Sequence, residues 1–80
     1  MSEYGRLQWL CRRGTKELDA LLTGFLAQRY ATADAGAQRG FVRLLEMTDP
    51  ELQRLLWAHT SAADAEVADV VRRIRHDAGL

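Results

Sequence analysis

Apolar residues recur along this chain at helical spacing in five short segments, and nowhere do they alternate long enough to suggest a strand. The pattern predicts an all-α fold, a compact five-helix bundle. A first helix is expected from about Glu3 to Arg12, with Tyr4, Leu7, Leu10 and Cys11 on one stripe and Trp9 off it. Gly14 interrupts the pattern. A second helix is expected from about Thr15 to Arg29, where Leu18, Leu21, Leu22, Phe25 and Leu26 form a core-facing stripe. Gly14 or Thr15 would cap it, and Glu17 falls in the first turn, where a carboxylate complements the helix dipole.

A third helix is expected from about Ala35 to Met47, capped by Asp34, with Phe41, Leu44 and Leu45 facing inward. Gly36 and Gly40 each cost it roughly 1 kcal/mol relative to alanine, so its stability must come from tertiary packing. The fourth has the clearest start signal: Asp49 as N-cap, Pro50 as the first helical residue and Glu51 in the first turn. Leu52, Leu55 and Leu56 form its buried side, Trp57 extends that side, and the helix is expected to end near His59. The fifth runs from about Ala65 to Asp77 behind an Asp64 cap, with Val67, Val70, Val71 and Ile74 as its stripe. Arg72, Arg73, Arg75 and His76 lie near its C-terminus, where cations complement the dipole. Connections are short, so neighbouring helices should pack on one another.

Composition narrows the possibilities. Eighty residues fit one helical domain spanning 1–80. Eleven Lys and Arg balance eleven Asp and Glu, which argues against a nucleic acid or an anionic membrane as the main partner. The segment Met1-Ser2-Glu3-Tyr4-Gly5 lacks the features of a signal peptide, and no apolar run approaches the ~20 residues of a membrane helix. The expected location is cytoplasmic, with no direct membrane insertion. One cysteine permits neither an intramolecular disulfide nor a cysteine-based zinc site.

Catalytic chemistry is hard to place on this sequence. His59 and His76 lie on different elements, and neither has a cysteine or carboxylate at ligand spacing, so no metal is expected. Cys11 reads as a small buried hydrophobe. With no strands there is no strand-to-helix phosphate loop, and no acid, base and nucleophile converge, so no catalytic residues and no enzyme activity are expected. The cationic end of the fifth helix shares its segment with Asp64, Glu66, Asp69 and Asp77 and reads as a solvated face. Asp49-Pro50-Glu51 sets negative charge where a recognition helix would meet DNA.

What remains is the dense run Cys11-Arg12-Arg13-Gly14-Thr15-Lys16-Glu17-Leu18-Asp19. One reading is a helix junction with a permissive glycine and a surface ion pair worth about 0 to 1 kcal/mol. The other is a contact patch: Gly14 lets a second backbone approach, Arg13 offers a planar fork of donors and Glu17 an acceptor.

Arg13, Gly14 and Glu17 match the Arg-Gly-x-x-Glu hallmark of the small bacterial FAD assembly factors of succinate dehydrogenase, the SdhE family. The resemblance extends through Trp9, Cys11-Arg12, Leu18-Asp19, Phe25, Tyr30, Phe41, Leu44-Leu45-Glu46, Asp49-Pro50-Glu51-Leu52 and Ala63-Asp64-Ala65-Glu66, covering about residues 6 to 75. Two departures stand out: Leu55 occupies a position usually held by tryptophan, and the third helix opens with Ala33-Asp34-Ala35-Gly36-Ala37. The resemblance implies a chaperone-like assembly factor, not an enzyme. It would bind the flavoprotein subunit of succinate dehydrogenase or fumarate reductase and promote covalent attachment of FAD to a histidine there, holding no FAD stably itself. Arg13, Gly14 and Glu17 carry over as the contact motif, with Arg6, Trp9, Arg12 and Asp19 as neighbours. The alternative is a regulatory protein-interaction module, antitoxin-like and unrelated to flavinylation.

Overall fold

In a computed structural model, residues 2–58 and 60–80 are described. His59, expected near the end of the fourth helix, lies outside them. Five helices follow in order: α1 (Glu3–Leu10), α2 (Lys16–Gln28), α3 (Ala35–Leu45), α4 (Asp49–Trp57) and α5 (Ala65–Asp77). A 3-10 turn, Tyr30–Thr32, links α2 to α3. There is no strand among the described residues.

Caps set most of the starts. Ser2 Oγ accepts from the Gly5 N–H at 3.0 Å, and Asp34 Oδ1 from the Ala37 N–H at 3.3 Å. Asp64 Oδ1 accepts from the N–H groups of Glu66 and Val67 at 2.9 and 3.2 Å. The expected cap of α4 needs correction. Thr48, not Asp49, is the N-cap: its hydroxyl accepts from the Glu51 N–H while the Glu51 carboxylate accepts from the Thr48 N–H. This reciprocal capping box moves Asp49 and Pro50 into the first turn of the helix.

The core is one apolar cluster drawn from every helix: Leu7 and Cys11; Leu18, Leu22, Phe25 and Leu26; Ala37, Phe41, Leu44 and Leu45; Leu52, Leu55 and Leu56; Val67, Val70, Val71 and Ile74. Phe41 lies at its centre, its ring centroid 4.8 Å from Phe25 and 5.7 Å from Tyr30. Such tilted aromatic pairs add to simple area burial. Two expected core positions face solvent instead. Tyr4 is exposed, and Trp57, expected to extend the buried side of α4, is 39% exposed.

Helices α3 and α5 form the closest pair in the bundle, and Gly40 is the reason. A Cβ at Gly40 would sit 2.4 Å from the backbone oxygen of Glu66 and 3.1 Å from Val70 Cγ2. The glycine that weakens α3 as an isolated helix thus lets it press against the first turns of α5. Ion pairs then run along this seam: Arg39 to Glu66 (2.6 Å), Arg43 to Asp64 (2.7 Å) and Glu66, and Arg73 to Asp34 at the α3 cap (3.7 Å). Bonds from Arg43 and from the Val67 and Glu66 N–H groups hold the Asp64 carboxyl below its ordinary range. Arg39 and Arg43 do the same for Glu66.

Candidate docking surface

The junction of α1 and α2 is built around an arginine that faces inward. Arg13 Nε donates to Asp49 Oδ1 at 2.8 Å, and Nη1 donates to the carbonyls of Leu45 and Leu10 at 2.8 and 3.3 Å. Nη2 donates to the Met47 carbonyl. The side chain is only 14% exposed. Its position is favourable because the last carbonyls of α3 have no partner inside their own helix and carry the negative end of its dipole. Arg13 supplies donors and charge together there, and clamps the junction to the α3–α4 turn. The fold has therefore spent the donor fork that the sequence suggested was turned outward.

The turn that follows is held equally firmly. Asp19 Oδ1 accepts from the Arg13 N–H at 2.6 Å, tying the junction to the first turn of α2. Gly14 has φ +92°, a left-handed conformation that L side chains rarely adopt, and a Cβ built on it would meet nothing within 4 Å. Its requirement is conformational, and the open space above it is available to a partner. Cys11, fully buried, ends α1. Burial pushes its thiol up to about 11, with the Arg13 charge pulling down and the Asp19 charge pushing up. It is a core residue, as its place on the α1 stripe indicated.

Around this rigid turn the remaining motif residues point outward. Arg6, Trp9, Arg12, Gly14 and Glu17 are exposed, Trp9 at 65%. Arg6, Arg12, Lys16 and Glu17 form no ion pair among the described residues, in contrast to the paired charges of the α3–α5 seam. Beside Glu17 an open groove of about 310 Å³ is lined by Thr15, Glu17, Leu18, Gln53 and Trp57. The Thr15 hydroxyl is shut off from solvent and has no hydrogen-bond partner among the described residues. The sequence reading missed Gln53 and Trp57 as part of this surface. Only the tertiary fold brings these α4 residues to the same groove as Glu17.

No three His, Cys, Asp or Glu side chains converge as metal ligands among the described residues. No helix among the described residues is long and apolar enough to cross a membrane. The fold and surface define a small all-helical protein whose α1–α2 turn is hydrogen-bonded from within and exposes charged side chains without ion-pair partners among the described residues. The family described as the flavinator of succinate dehydrogenase matches residues 5–78, and this chain belongs to it. Three proteins named FAD assembly factor SdhE are among its relatives. That of Haemophilus ducreyi is 36% identical over 77 residues, covering 94% of both chains. That of Methylococcus capsulatus is 37% identical over 75 residues, covering 94% of this chain and 90% of its own. That of Yersinia pseudotuberculosis is 36% identical over 70 residues, covering 88% and 80%.

Proposed function

We propose that this protein is an assembly factor that docks on the flavoprotein subunit of succinate dehydrogenase, and of fumarate reductase where present, and promotes covalent attachment of FAD to a histidine of that subunit. The observation that carries this reading is the junction itself. Gly14 and Glu17 stand exposed on a turn fixed from below by Arg13 and Asp19, in a chain of the flavinator family. Arg12, Arg6 and Trp9 extend the surface. Arg13 serves it as a positioning residue.

FAD in this reading belongs to the partner. Four of the helix starts, where a pyrophosphate would be drawn, are occupied by their own caps at Ser2, Asp34, Thr48 and Asp64. The assembly factor is not an enzyme. It acts by binding one conformation of the flavoprotein better than others. A differential affinity of about 1.4 kcal/mol enriches the favoured conformation about tenfold. If that conformation holds the flavin and histidine in attack geometry, the bond forms faster in proportion.

The test is reconstitution. The purified apo-flavoprotein subunit is incubated with FAD, with and without this protein, and covalent flavin is read by in-gel fluorescence. Wild type should raise the yield. Gly14→Trp should lose that effect while melting as a folded protein. Equal yields with and without the protein would refute the proposal.

A further inference from the structure

We propose that the groove walled by Glu17, Gln53 and Trp57 receives an arginine side chain of the flavoprotein, a contact that rests on the docking reading above. Three observations point to a guanidinium. Glu17 is exposed and has no cation among the described residues, although the carboxylates of the α3–α5 seam are paired. Trp57, 39% exposed, lines the same opening, and Gln53 adds an amide. The floor is the fully buried Leu18.

Charged neighbours within the chain do not fill this role. Lys16 is adjacent to Glu17 on the helix, and adjacent residues do not face one another. Arg54 lies next to Gln53, and its charge acts on Glu51. Glu17 is therefore free to pair with a cation of a partner. An indole and a carboxylate lining one groove suit a guanidinium, whose plane can stack on the ring while its edge donates two parallel N–H bonds. An ammonium satisfies one of these groups at a time.

The experiment measures binding of the full chain to the purified flavoprotein subunit by calorimetry. Trp57→Leu should weaken binding roughly 3- to 30-fold, the range of a cation–π contact, while Trp57→Phe keeps most of it. Glu17→Gln should also weaken binding. The double variant should lose less than the product of the two, because one guanidinium touches both groups. Thermal melts establish that each variant is folded. In parallel, phenylglyoxal labelling of the flavoprotein should show one arginine protected by wild type and unprotected with the double variant.

Wild-type affinity for Trp57→Leu, with Glu17→Gln weakened, would overturn the groove and leave the docking reading standing. Protection of a lysine and of no arginine would overturn the guanidinium. Absence of any binding by the wild-type chain would remove the docking reading and this contact with it.

Discussion

Replacing Gly40 by alanine sets helix propensity against packing, and the two have opposite signs. In an exposed helix the change stabilises by roughly 1 kcal/mol, because glycine carries more backbone freedom into the unfolded state. Here the new Cβ would lie 2.4 Å from the Glu66 oxygen and 2.7 Å from the Glu66 carbonyl carbon. Both are backbone atoms, so no side chain can turn away to make room. Helices α3 and α5 must move apart, loosening Phe41 and Leu44 against Val67 and Val70 and stretching the ion pairs of Arg39 and Arg43. Overpacking of this kind costs about 1 to 3 kcal/mol, and the separation of two helices lies at the upper end. After subtraction of the propensity gain, a net loss of about 1 to 2 kcal/mol remains, or roughly 4 to 16 °C in Tm for a domain of this size. Gly24, in the middle of α2 with nothing within 4 Å of a built Cβ, is the internal control. Thermal and urea unfolding followed by helical circular dichroism should show Gly40→Ala below wild type and Gly24→Ala at or above it. A Gly40→Ala protein as stable as wild type would refute the claim that this glycine sets the helix separation.

Three further outcomes follow from the same geometry. Arg13→Lys should destabilise by about 2 to 3 kcal/mol in urea titration, because one ammonium cannot reach Asp49 and the carbonyls of Leu45 and Met47 together; a loss below about 0.5 kcal/mol would contradict the clamp. Cys11 should resist a thiol reagent such as dithionitrobenzoate at neutral pH in the native protein and react once denaturant unfolds it; fast native labelling would contradict its burial. Asp64 and Glu66 have native pKa values below their ordinary ones, so the unfolded chain binds more protons than the native one as pH falls through the ordinary carboxylate range. Their stabilisation is present in full above that range and is lost towards the lowered native values. Melting curves from pH 6 to 3 should therefore show a decline that is shallower in an Asp64→Asn/Glu66→Gln variant, and parallel declines would show that the seam carries no pH-linked stability.

The sequence by itself determined the helices and their inward stripes. Leu18 to Leu26, Leu52 to Leu56 and Val67 to Ile74 repeat at a period that only a helix can bury on one side, and α5 begins and ends where its pattern says. Local caps such as Asp34 and Asp64 were legible because donor and acceptor lie within three residues of each other. The motif too was readable as residue types at fixed spacing. Direction was not readable for groups whose partners lie far along the chain. Arg13 turns inward because Leu45, Met47 and Asp49 offer acceptors that arrive only when the α3–α4 turn packs beneath it. Gly40 changes from a weak point in a helix to the contact that seats α5, because Glu66 stands opposite. Trp57 stays outside the core and lines one groove with Glu17, a meeting of α4 and α2 side chains that only the tertiary fold arranges. Periodicity is a property of neighbours in sequence. Which polar group meets which depends on packing between segments that periodicity does not order, so the tertiary structure alone decided which part of the charged turn holds the fold and which part stays exposed.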